Sequence, residues 1–190
     1  VHESHAEVKY DNVRIPEENL LGTENEGFTH AQERLGPARL THCMRYSGMA
    51  RRALEVAKAY LSDRTAFDST LADKQGPRFA IAEEEVQLHA AGTMVRDAAV
   101  KIAAGERARH EVSACKVFTA NACQDAIDTA LQMCGGSGIS KDLPIAEFYE
   151  SDRAFRLVDG ADEVHKRTLA RDAFEDVATE ELTNLPEFGQ

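Results

Sequence analysis

The stretch RHEVSACKVFTANACQDAIDTALQMCGGSG, residues 109–138, decides the fold of this chain. Val112, Cys115, Thr119, Ala122, Ala126, Ala130 and Met133 step by three and four, the spacing of one helix face. Ala, Thr and Cys on that face are small enough to let other helices come close. Gly135-Gly136-Ser137-Gly138 then breaks the pattern. Upstream, Ile81, Leu88, Val95 and Ile102 recur every seven residues until Gly105, placed to stop a second long helix. Earlier still, Met49, Ala53, Leu54, Ala57 and Leu61 share the face of a first. Downstream, Pro144 suits the first turn of a helix reaching about Leu157, and a last one runs from Ala161 to about Thr179. The expected fold is all-α: an antiparallel four-helix bundle with a C-terminal helical hairpin, over residues 29–181. Residues 182–190 are expected to be a frayed tail.

Residues 1–28 read differently. Ala6, Val8 and Tyr10 alternate with Glu7 and Lys9, a strand period, and Pro16 ends the extended pattern. A lone strand is not stable, so this segment is expected to be the last edge of a β domain plus a linker. Val1 is no start methionine, and the chain is expected to be a piece of a longer polypeptide.

Composition removes several classes of function. With 43% hydrophobic residues the chain can build a core, so wholesale disorder is excluded. No apolar run is long enough for a transmembrane helix, and the polar, acidic start is no signal peptide. A net charge of -11 with no basic patch argues against nucleic acid and anionic membrane surfaces. Arg outnumbers Lys by 15 to 7, a composition compatible with a salt-adapted cytoplasm. Cys43, Cys115, Cys123 and Cys134 include no CxxC pair and read as reduced, buried thiols of a cytoplasmic protein. His2 and His5 lack neighbouring ligands, so no metal site is expected.

Three breaks in the helical pattern hold the unusual residues. In Arg64-Thr65-Ala66-Phe67-Asp68, followed by Gln75, the Arg either pairs a phosphate or complements a helix C-terminal dipole, with Phe67 as a core plug. Gln132-Met133-Cys134-Gly135-Gly136-Ser137-Gly138 either lets backbone approach an anionic ligand or simply stops a helix. In Asp159-Gly160-Ala161-Asp162-Glu163-Val164-His165, Asp159 is either the N-cap of the last helix, Asp162 completing a capping box, or a carboxylate base at a cleft. Periodicity does not separate these alternatives.

Together, in this order, the three segments resemble the C-terminal helical domain of the acyl-CoA dehydrogenase family. That family's pattern is Arg-x-x-Phe-Gly followed by a Gln, then Gln-x-x-Gly-Gly-x-Gly, then a carboxylate-Gly before the final helix. Residues 11–22 also resemble the family's exit from its middle β domain, so the resemblance spans residues from about 6 to 177. Two positions depart from the pattern. Asp68 replaces the usual Gly, and Asp159 stands where most members have Glu. One branch has Asp in an Asp-Gly-x-Asp-Glu-Val-His setting, which residues 159–165 match; that branch is associated with long or branched acyl-CoAs.

The resemblance implies α,β-dehydrogenation of an acyl-CoA thioester. Asp159 takes the α-proton and the β-hydride passes to flavin N5. By position it implies that Arg64, Phe67, Gln75, Gln132, Gly135 and Gly136 contact FAD bound by a neighbouring subunit. Ala161 and Glu163 match FAD contacts of the subunit that holds the base. Gly160 leaves room for the thioester, whose carbonyl takes a hydrogen bond from the Asp159 backbone N–H. Arg39 lies near the site floor, with a buried structural ion pair as the other reading. It implies further a homodimer or tetramer, with electron-transfer flavoprotein as electron acceptor. Two other readings stay open: a helical dimerisation module of a catalytically altered relative, and an unrelated four-helix binding module whose glycines are helix stops.

Overall fold

A computed structural model describes residues 6–175 of the chain. The described residues are helical in the main, as the apolar spacing requires. Helix α1 spans Gly27–Asp63, α2 Gln75–Ala103 and α3 Arg109–Cys134. At a rise of about 1.5 Å per residue, α1 is roughly 55 Å long. Pro37 lies inside it and has no N–H for the preceding turn, a loss tolerated at an exposed position.

The three long helices run antiparallel, and cross-links between them set their levels. Lys58 on α1 reaches Glu85 on α2 at 2.8 Å, and Thr129 on α3 donates to Glu84 at 2.9 Å. The core lies between them. Leu40, Cys43, Tyr46, Ala50, Ala53, Leu54, Ala57 and Leu61 form one stripe of α1, against Ile81, Leu88, Val95 and Ala98 of α2. Helix α3 is central, buried on more than one side, with Cys115, Ala120, Cys123, Ala126, Ile127 and Ala130 closed to solvent. Its small residues are what let α1, α2 and the C-terminal helices all reach it. The four cysteines are free and buried.

Between α1 and α2 stands a minimal hairpin, β1 Thr65–Ala66 and β2 Ser69–Thr70, paired Thr65 with Thr70 and Ala66 with Ser69. Its two loop residues, Phe67 and Asp68, have φ of +54° and +67°, the signature of a type I′ turn. After α3 come a single helical turn, α4 Gly136–Ile139, then α5 Ile145–Phe155 and α6 Asp162–Glu175. The short α5 and α6 both pack on α3, and α5 also touches α1. No helix among the described residues is long and apolar enough to cross a membrane.

No strand is assigned at Ala6 to Tyr10 among the described residues, and the segment is exposed. Alternation alone does not make a strand, because a strand needs a neighbour to satisfy its N–H and C=O groups. A short 3₁₀ turn at Glu17–Asn19 follows instead. The expected reach of the last helix to Thr179, the tail at 182–190, and His2 and His5 fall outside the described residues.

Candidate active site

The chain between α5 and α6 makes a tight reversal. Asp159 has φ of +55° and Gly160 of +94°, and the Asp162 N–H closes the turn on the Arg156 carbonyl at 3.1 Å. A left-handed conformation at a non-glycine residue persists only where the surroundings hold it. Here they grip the Asp159 carbonyl, which accepts a hydrogen bond from Arg39 Nε at 2.8 Å and lies 3.3 Å from His165 Nε2. The other ring nitrogen of His165 lies 3.2 Å from the Ser113 hydroxyl on α3. Burial pulls the His165 pKa down against the Asp159 bond, favouring the neutral ring. The consistent tautomer has Nε2–H donating to Asp159 and Nδ1 accepting from Ser113. Gly160 is required twice, for its positive φ and because a Cβ there would stand 3.0 Å from His165 Nε2.

With its carbonyl held, the Asp159 side chain points back to α1. Its Oδ2 meets His42 Nδ1, and the Asp159 side chain is only 18% exposed. Arg39 and His42 are one turn apart on α1, so a single helix face holds both ends of this residue. Asp159 therefore does not cap the last helix, which begins three residues later at Asp162. The capping-box reading is corrected: the reversal turns the carboxylate away from the helix end. Among the described residues Arg39 likewise enters no buried ion pair with a carboxylate; burial lowers its pKa, the charge of Asp159 partly offsets this, and its bond is to backbone.

Beneath the turn lies a buried charge network. Lys116, 0% exposed, donates to Asp162 Oδ1 at 2.9 Å. Arg156 Nε and Asn121 Nδ2 donate to Oδ2 at 3.0 and 3.2 Å. Desolvation opposes ionisation of Asp162, yet these hydrogen bonds outweigh it and its carboxyl titrates below the usual range. The network ties α6 and the end of α5 to α3.

The remaining candidates divide between two places. Gly160, Ala161 and Glu163 flank Asp159, Ala161 partly buried and Glu163 exposed. Arg64, Phe67, Gln75, Gln132, Gly135 and Gly136 lie at the opposite end of the bundle, where α1 ends, α2 begins and α3 ends. Phe67 is 87% exposed, so it is no core plug; the type I′ turn carries it outward. Arg64, Gln75 and Gln132 are exposed too. Gly135, with φ of +56° and ψ of -135°, adopts backbone that only glycine takes readily. A Cβ at Gly135 or Gly136 would meet nothing within 4 Å, so this backbone is open to a ligand.

His42, Ser113, Lys116 and Asp162 were not expected as members of the site. One signal was available: Lys116 sits among Val112, Cys115 and Thr119 on the buried face of α3, and a cation there demands a buried anion. His42 at three residues from Arg39 was visible as well, but its partner is remote in sequence.

Similarity to known proteins identifies the family. The model of the acyl-CoA dehydrogenase C-terminal domain matches residues 25–174. The chain is 42% identical over 169 residues to probable acyl-CoA dehydrogenase FadE2 of Mycobacterium tuberculosis, covering 88% of this chain and 42% of that protein. It is 39% identical over 173 residues to acyl-CoA dehydrogenase family member 11 of Gallus gallus, covering 90% and 22%. Butyryl-CoA dehydrogenase from Megasphaera elsdenii superposes with a TM-score of 0.83 at 27% identity, over 86% of this chain and 43% of that one. The chain thus spans less than half the length of these relatives, and it belongs to the acyl-CoA dehydrogenase family as its C-terminal helical domain.

Proposed function

We propose that the complete protein is an FAD-dependent acyl-CoA dehydrogenase in which Asp159 is the base. The observation that carries this reading is the Asp159 carboxylate, mostly shielded, excused from capping, and set in a turn whose strain the surrounding side chains sustain. The α C–H bond of the acyl-CoA thioester breaks, and its proton goes to this carboxylate. FAD, when bound, supplies the acceptor for the β-hydride at flavin N5. The Asp159 backbone N–H polarises the thioester carbonyl as the α-proton leaves, and Gly160, bare of a side chain, keeps that approach open.

The residues at the far end fit a dinucleotide: open glycine backbone at Gly135 and Gly136, exposed Arg64, Gln75 and Gln132, and the outward ring of Phe67. Ala161 and Glu163 would hold FAD on the side of the base. Along α1, His42 and Arg64 are separated by 22 residues, about 33 Å of helix. That separation supports a homodimer or tetramer, the far end of one copy serving the FAD beside Asp159 of another. Electron-transfer flavoprotein is the proposed electron acceptor.

The test is Asp159→Asn in the complete protein, mixed with a saturated acyl-CoA in a stopped-flow instrument. Flavin bleaching is expected to slow roughly a hundredfold or more, with little change in melting temperature because no cap is lost. A dimerisation module without chemistry would bleach at the same rate in both proteins, or not at all.

A further inference from the structure

We propose that His42 is a positioning residue for the Asp159 carboxylate, an inference that rests on Asp159 being the base. The carboxyl torsion of an Asp is broad, so a carboxylate left alone swings between orientations. Asp159 is not left alone. Its Oδ2 faces His42 Nδ1, both atoms are closed to solvent, and neither has a hydrogen-bond partner elsewhere among the described residues. The open 18% of the Asp159 side chain thus excludes Oδ2. With Oδ2 occupied, Oδ1 is the oxygen left to take the proton.

The imidazole is itself fixed. Its ring stands edge-on to Tyr46 at 6.5 Å and to Phe155 at 6.4 Å, both at 83°. Tyr46 and Phe155 stack on each other at 4.3 Å, one from α1 and one from the end of α5. Phe155 also lies under the ammonium of Lys116, at 5.2 Å from the ring centroid. So the orientation of His42 is set by the same packing that seats the reversal holding Asp159. A base oriented by a neighbour, itself oriented by a third group, is a general way to hold reacting atoms in line. Arg39 fixes the Asp159 backbone and His42 its carboxylate, one turn apart on one helix.

Two substitutions separate positioning from packing. His42→Phe keeps a ring against Tyr46 and Phe155 but has no nitrogen. His42→Asn gives up the ring but places an amide N–H near the position of Nδ1. In the complete FAD-loaded protein, His42→Phe is expected to slow flavin reduction at saturating acyl-CoA by roughly tenfold to a hundredfold. His42→Asn is expected to keep more of the rate than His42→Phe. A second readout needs no turnover: the melting-temperature shifts of His42→Phe and Asp159→Asn should be non-additive in the double variant, as for groups in contact. If His42→Phe reduces flavin at the wild-type rate while Asp159→Asn is slow, His42 has no positioning role and the base assignment stands. If His42→Asn is the slower of the two and the melting shifts simply add, the ring is packing only and the proposal is overturned. If Asp159→Asn is as fast as wild type, the base reading itself falls, and this inference with it.

Discussion

Arg39 and Asp159 are 120 positions apart in the chain and meet at a backbone atom: the guanidinium Nε donates to the Asp159 carbonyl at 2.8 Å. The bond crosses from the first long helix to the last reversal, and it grips main chain while leaving the carboxylate to other partners. Arg39→Ala is expected to cost about 1.5–3 kcal/mol, the range for a hydrogen bond from a charged donor. Urea unfolding gives the number. Arg39→Lys should recover little of it, since a flexible ammonium does not reproduce the planar N–H of the guanidinium. Full stability in Arg39→Ala would show that the reversal is held without it.

The Lys116–Asp162 pair is expected to be intolerant of single changes. Lys116→Met fills the volume but leaves Asp162, almost fully buried, with Arg156 as its one cationic partner among the described residues. Breaking a buried pair from one side destabilises by about 3–5 kcal/mol. A melting curve of Lys116→Met close to that of wild type would mean that Arg156 and Asn121 alone satisfy the carboxylate.

Asp152 on α5 has both carboxyl oxygens buried without a hydrogen-bond partner among the described residues. Burial, and then the charge of Asp125, push its pKa from 3.8 up to about 7. Between those values the folded state holds a proton that the unfolded state has released, so stability falls as pH rises from about 4 to about 7 and the loss is complete above that window. Asp152→Asn removes the titrating group. The stability difference between variant and wild type should therefore grow across this window, by on the order of a few kcal/mol. Chemical unfolding of both proteins at several pH values checks it, and parallel pH curves would rule it out.

The hairpin turn carries a removable strain. Asp68, at φ of +67°, occupies the second loop position of a type I′ turn, where glycine is preferred. A left-handed residue costs roughly 1–2 kcal/mol, and a glycine loses about 0.5–1 kcal/mol more entropy on folding. Asp68→Gly is thus expected to stabilise by about 0.5–1 kcal/mol, readable as a raised melting temperature. The gain should survive because the Lys74 ammonium bonds the Phe67 carbonyl, at 2.8 Å, and not the Asp68 side chain.

By itself the sequence determined the helices and their breaks, because helix periodicity and glycine stops are local properties. The stripe of Val112, Cys115, Thr119, Ala126 and Ala130 marks the central helix, and the small size of those residues already implies close neighbours. The motif order was enough for the family, since it is a pattern along the chain. The alternation of Ala6, Val8 and Tyr10 is a strand period whose pairing the sequence does not fix, because pairing is a property of two segments, and no strand is assigned there among the described residues. Only the tertiary structure decided what Asp159 does with its side chain. Cap and base readings share one local sequence; the cap reading is removed by a reversal that holds Asp159 three residues before the helix, against His42 and Arg39 brought from more than a hundred residues away. The same holds for Lys116 and Asp162: a buried cation and its anion come together only when α6 packs on α3, and the low dielectric there makes each intolerable without the other.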